Sequence, residues 1–194
     1  WNVNSVNARI EHLEKFIKKD QSDIYLLQEL KTIEDGFPKE IIKNAGYYSY
    51  VNGQKAWNGV AILSKEKLEI TNTSIPKYDD PNARLIETEI QLKKIKKNIK
   101  LINIYLPNGN PIETEKFDYK IKWMKKFNSY IQELKDNNIP IIISGDFNVI
   151  PTDDDVYSPE NFKNDACAHP LTREQYRILI NMGFTDLVKH FVEG

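Results

Sequence analysis

Several polar residues in this sequence each close an apolar run of the kind that forms a buried strand. Gln28-Glu29 follows Ile24–Leu27, Tyr105 lies near the end of Asn98–Leu106, and Asp146 and Asn148 follow Gly145 after Pro140–Ser144. Asn2 lies beside Asn4 in an opening apolar–polar alternation with Trp1 and Val3. In sheets covered by helices, strand ends converge on clefts where functional side chains gather. Two carboxylates, several carboxamides and a phenol, with no cysteine or histidine among them, suit a hard cation held through oxygen. Mg²⁺ takes one or two carboxylates and keeps waters for a phosphate oxygen. Such a site carries out phosphoester chemistry through Lewis-acid charge stabilisation and water activation. Asp146 would orient or deprotonate the water, while Asn148 and Tyr105 would hydrogen-bond phosphate oxygens.

The surrounding pattern predicts the elements that must hold these residues. Val6, Ile10, Leu13, Phe16 and Ile17 mark one face of a helix over 6–19, with Ser5 as its N-cap. A short helix is expected over 38–44, closed by Gly46, and strands over 47–51, 59–64, 68–73, 84–91 and 98–106. Phe117, Ile121, Met124, Phe127, Ile131 and Leu134 set a long helix over 113–136. Two short helices, over 172–182 and 185–192, flank Gly183. This order predicts a mixed α/β domain.

The chain has 194 residues, 40% hydrophobic and 28% charged, which excludes a disordered polymer and a membrane-embedded bundle. With 27 Lys+Arg against 28 Asp+Glu, any surface for nucleic acid must be a local patch. One cysteine, Cys167, excludes an internal disulfide framework and a multi-cysteine zinc site. A reducing, intracellular location is the simplest expectation. The sequence also reads as cut at both ends, since it starts inside an alternation and stops just after an apolar pattern.

Five motifs occur in one order: Trp1-Asn2-Val3-Asn4-Ser5, Leu27-Gln28-Glu29-Leu30-Lys31, Asn58-Gly59-Val60-Ala61-Ile62-Leu63, Tyr105-Leu106-Pro107-Asn108-Gly109 and Gly145-Asp146-Phe147-Asn148. Together with Lys116-Phe117 and Lys122-Trp123, this order resembles the exonuclease III family, Mg²⁺-dependent apurinic/apyrimidinic endonucleases of the endonuclease/exonuclease/phosphatase superfamily, along essentially the whole chain. The resemblance implies a four-layer α/β sandwich, two packed mixed sheets flanked by helices, forming a single domain over 1–194 that is incomplete at its C-terminus. It implies Glu29 as the direct metal ligand with Asn2 in the metal site, and Tyr105, Asp146 and Asn148 as catalytic residues. Asn148 also binds phosphate in this scheme, Asn108 contacts the DNA backbone, and Lys116 belongs to the helix that favours DNA as substrate. The cofactor implied is Mg²⁺, with Mn²⁺ as the alternative ion. The substrate implied is double-stranded DNA with abasic sites or blocked 3′ ends, met by a monomer in a bacterial cytoplasm near the nucleoid, with no membrane partner.

The family's closing segment, with an aspartate for the metal and a Ser-Asp-His motif, has no counterpart in these 194 residues, and His12, His169 and His190 lie in no such motif. Residues 1–194 alone are therefore expected to be weakly active or inactive, and a completed chain active. Two other readings compete: superfamily phosphatase or phosphodiesterase action on a lipid or inositol phosphate, and a catalytically inactive DNA-binding fragment. Plainer roles also stand beside the functional ones. Asp153-Asp154-Asp155 reads as a solvated turn, Lys93–Lys97 as a solvated hairpin tip, Trp123 and Phe127 as core, His12 as structural, and Cys167 as a small apolar residue. Trp57 and Lys55 sit in a Gly-flanked loop placed for either a DNA contact or a plain solvated turn.

Overall fold

A computed structural model describes residues 1–92 and 97–191. The chain divides into two compact units, each assembled from two stretches: Trp1–Leu106 with Ile139–Phe147, and Pro107–Asn138 with the segment from Asn148 onward.

In the first unit a 3₁₀ turn, Asn7–Arg9, leads into α1 (Ile10–Asp20). Ser5 does not cap this helix, contrary to expectation: its φ of 82° places it in the left-handed region, and α1 is preceded directly by Arg9. β1 (Ile24–Gln28), α2 (Lys39–Asn44), β2 (Tyr48–Asn52) and β3 (Val60–Ser64) follow. The three strands pair in the order β1-β3-β2, antiparallel to one another, and a parallel bridge from Asn2 to Gln28 adds to the β1 edge. β4 (Glu69–Asn72), β5 (Leu85–Leu92), β6 (Lys97–Tyr105) and β7 (Ile141–Asp146) form the second sheet in that order. Its first three strands are antiparallel and β7 runs parallel to β6, so this sheet is mixed as expected.

The period-two alternation of β3 explains how the layers assemble. Ala61 and Leu63 join Leu13, Ile17, Ile42 and Tyr47 in a core between the helices and the first sheet. Val60 and Ile62 point the other way and meet Ile86, Leu26 and Tyr105 between the two sheets. All five residues of β3 are buried, which is why Val60–Leu63 form a continuous apolar run, closed by the buried Ser64. A buried polar cluster crosses this inner layer. Asn103 Nδ2 donates to the carbonyls of Leu27 at 3.0 Å and Ala61 at 2.9 Å, and its Oδ1 accepts from Gln28 Nε2 at 2.7 Å.

In the second unit α3 (Glu115–Asp136) packs on α4 (Pro170–Asn181), followed by α5 (Leu187–Phe191). Trp123 and Phe127 stack at 5.2 Å and are buried, as expected of core residues. Asn128 Nδ2 on α3 donates to the Gln175 carbonyl on α4 at 3.0 Å. His169 caps α4, its Nδ1 accepting the Leu171 N–H at 3.2 Å while its ring meets Phe117 at 4.5 Å. Asp153–Asp155 forms a 3₁₀ turn closed by Thr152, with Asp153 paired to Arg173 at 2.7 Å and Asp155 to Lys189 at 2.9 Å, a structural arrangement. Most of the lysine-rich hairpin tip lies outside the described residues. No described helix is long and apolar enough to cross a membrane.

Candidate active site

The N-terminal segment lies parallel to the end of β1. Val3 N–H donates to the Gln28 carbonyl at 2.9 Å, Gln28 N–H to the Trp1 carbonyl at 3.1 Å, and Ser5 N–H to the Glu29 carbonyl at 2.8 Å. This ladder sets Asn2 beside Glu29, with Asn2 and Gln28 as bridge partners. Gln28 itself turns inward to Asn103 and is buried, so of the two adjacent polar residues only Glu29 reaches the site. Glu29 and Lys31 both adopt left-handed backbone, φ 55° and 54°.

Tyr105 and Asp146 are neighbours because β6 and β7 are. The two residues are paired in parallel register, and the Leu106 N–H donates to the Asp146 carbonyl at 2.9 Å. Gly145 makes this approach feasible: a Cβ there would lie 2.0 Å from the Ile104 carbonyl oxygen.

These backbone constraints bring four of the sequence-predicted residues together. Tyr105 donates its hydroxyl to Glu29 Oε1 at 2.6 Å. Asn2 Nδ2 donates to Glu29 Oε1 at 3.1 Å and to Asp146 Oδ2 at 2.9 Å, bridging the two carboxylates. Asn2 Oδ1 meanwhile accepts the Asn4 N–H at 3.1 Å. The side chain is thus placed as the spacer between two like charges that would otherwise repel. Glu29 Oε2 faces Lys31 Nζ at 3.2 Å, and the same ammonium bonds Asn4 Oδ1.

Burial pushes the Glu29 carboxyl up, but hydrogen bonds from Tyr105, Asn2 and Lys31 outweigh it and leave the pKa lowered. Burial, then the adjacent Glu29 carboxylate, drives the Tyr105 phenol well above the ordinary tyrosine range. Arg84 stacks over the Tyr105 ring at 5.1 Å and donates from Nη1 to its carbonyl at 3.0 Å. Trp57 is 69% exposed, with Lys31 Nζ 5.9 Å from its ring centre.

The remaining predicted residues belong to the second unit. Asn108 Nδ2 donates to Asn148 Oδ1 at 3.4 Å, so the two carboxamides face each other. Cys167 Sγ lies 3.8 Å from Asn108 Nδ2 and 4.0 Å from Asn148 Oδ1, which makes it a neighbour of this pair rather than an incidental apolar residue. Lys116 is exposed on the first turn of α3. His12 is exposed on α1, and His169 is occupied in capping.

Four residues at or behind these clusters carry no assigned role in the sequence: Asn4, Lys31, Arg84 and Lys120. Lys120 had a legible signal, because it falls on the apolar seam of α3 between Phe117 and Trp123, where a charge must be buried. Lys31 and Arg84 had none, since their contacts follow from tertiary placement.

Comparison with known proteins supplies the context for this geometry. A model of the endonuclease/exonuclease/phosphatase family matches residues 1–188. The exodeoxyribonuclease III of Haemophilus influenzae is 34% identical over 198 residues, spanning 96% of this chain and 72% of the relative. Among solved structures, an AP endonuclease from Archaeoglobus fulgidus is similar with a TM-score of 0.89 at 33% identity, over 97% of this chain and 71% of that one. A 3′ phosphatase from Neisseria, bound to a product DNA hairpin, is similar with a TM-score of 0.89 at 30% identity, over 98% and 72%.

Proposed function

The chain belongs to the endonuclease/exonuclease/phosphatase family, a family of hydrolytic enzymes, and from that premise we propose that it is a Mg²⁺-dependent DNA-repair phosphodiesterase. It cuts the backbone 5′ to an abasic site, leaving a 3′ hydroxyl, and trims nucleotides or blocking groups from 3′ ends. The observation that carries this reading is the convergence of Glu29, Asn2, Tyr105 and Asp146. The names of the relatives, exodeoxyribonuclease III, AP endonuclease and 3′ phosphatase, support DNA as substrate over a lipid or inositol phosphate.

The donor set fits a hard divalent cation. Its acids are the carboxylates of Glu29 and Asp146, accompanied by carboxamides, and the described residues contain no group of three or more Asp, Glu, His or Cys placed to hold a metal ion. A cation held by so few acidic groups keeps waters, as Mg²⁺ prefers. Glu29 would be the direct ligand and Asn2 would lie beside it. When bound, the cation supplies Lewis-acid stabilisation of charge developing on the phosphate oxygens.

Everything else falls to the chain's own side chains. Asp146, held through Oδ2 by Asn2, orients the attacking water and accepts its proton. Tyr105 keeps its proton to high pH and donates a hydrogen bond, to Glu29 in the structure and to a phosphate oxygen when substrate is present. Asn108 and Asn148 donate carboxamide N–H groups to a backbone phosphate, and the exposed Lys116 adds electrostatic attraction.

The test is nicking of a duplex carrying one abasic-site analogue, by this chain and by a C-terminally extended version, with Mg²⁺ or with chelator. The extended version should nick only with metal, and Asp146→Ala should lower its rate by about 10²- to 10⁴-fold. If neither version nicks abasic DNA, the substrate assignment is wrong.

A further inference from the structure

Lys120 is fully buried, yet it is a lysine. An ammonium without partners in the core costs several kcal/mol, roughly, so its hydrogen bonds decide whether the position is tolerable. The Lys120 Nζ donates to the Asn108 carbonyl at 3.0 Å and the Asn148 carbonyl at 2.6 Å. Those two residues belong to loops 40 positions apart, and their carboxamides meet at 3.4 Å. The Asn108 loop closes directly onto the lysine stem: a Cβ on Gly109 would lie 2.5 Å from Lys120 Cδ, and the φ of +86° suits glycine. Asn148 has a left-handed backbone, φ 46°, so its side-chain direction depends on a conformation that something must hold.

We propose that Lys120 is a positioning residue for phosphate binding, its buried ammonium tying the Asn108 and Asn148 backbones together so that both carboxamides face one phosphate. The proposal rests on the reading of those two asparagines as phosphate contacts. A hydrocarbon side chain of equal length would fill the same space but release both carbonyls. The two loops would then keep the long carboxamide contact and Cys167 beside it, but lose the backbone tie that sets their mutual register. The fixed positive charge behind the pair also favours an anion in front of it.

Two arms test this. The first needs no DNA and follows the side-chain amide ¹⁵N–¹H signals of Asn108 and Asn148. Lys120→Met should move both signals toward free-asparagine positions while the rest of the spectrum stays folded, and Lys120→Arg should preserve them. The second measures binding of a fluorescent abasic duplex in EDTA. Lys120→Met should weaken it about tenfold, and Lys120→Met/Asn148→Ala should bind no more weakly than Asn148→Ala alone, the mark of residues acting through one another.

Unchanged amide signals in folded Lys120→Met, or strictly additive binding losses, would overturn the positioning role. Moved signals in a protein whose wild type binds no DNA would uphold the tie between the loops and overturn the phosphate reading. If Lys120→Met does not fold, Lys120→Gln carries both arms, with a shorter donor and no charge.

Discussion

At Glu29 a phenol, a carboxamide and an ammonium all point at one carboxylate. Its pKa is lowered although burial alone would raise it, so the folded state prefers the ionised form more than the unfolded chain does. Stability contributed by such a group is fully present above the ordinary carboxyl range and is lost as pH falls through the folded value. Thermal melts of wild type and Glu29→Gln should therefore differ by a constant amount near neutrality and converge in acid. A gap that widens on acidification would contradict the assigned network. Asn2 links Asp146 to that network, so the carboxamide helps to set how closely the two negative charges are held.

At the scale of elements, the β6–β7 pair does the positioning. Gly145 has a φ of +142°, and a methyl there would collide with the Ile104 carbonyl of the adjacent strand. Gly145→Ala should destabilise the protein by about 3 kcal/mol. The melting temperature should then fall by roughly 6–12 °C. A loss below 1 °C would mean that the strands separate there at little cost.

The strands themselves were legible because their apolar runs end where their burial ends. Glu29, Tyr105 and Asp146 were legible for the same reason, each being the polar residue that closes such a run. The pairing of Gln28 with Asn103 was not, because two adjacent polar residues look alike until the register of strands 75 positions apart is known. Ser5 misled for a related reason. Its residue type suits a cap, but the ladder between the N-terminal segment and β1 imposes a left-handed backbone before α1 begins.

At the scale of the whole molecule, the chain passes between its two units three times, after Leu106, after Asn138 and after Phe147. The first unit is thus discontinuous in sequence, and β7, with Asp146, reaches it only after the chain has built α3. Composition and periodicity carried no sign of this division, because each crossing falls in an ordinary connection. Residues 1–106 expressed alone should lack a partner for the far edge of β6 and should self-associate or melt broadly. Size-exclusion chromatography and circular dichroism would check this, and a sharply melting monomer of unchanged midpoint would refute it.

The backbone around the end of β1 is costly. Asn4, Ser5, Glu29 and Lys31 all lie in the left-handed region, at φ of 43°, 82°, 55° and 54°, and none is glycine. Each such residue gives up about 1 kcal/mol relative to relaxed backbone. Heat tolerance and the placement of Asn2 are therefore antagonists at this corner. Substitutions that relax these torsions are a ready route to a hardier protein, and they would also unfasten the segment that delivers Asn2 to the two carboxylates.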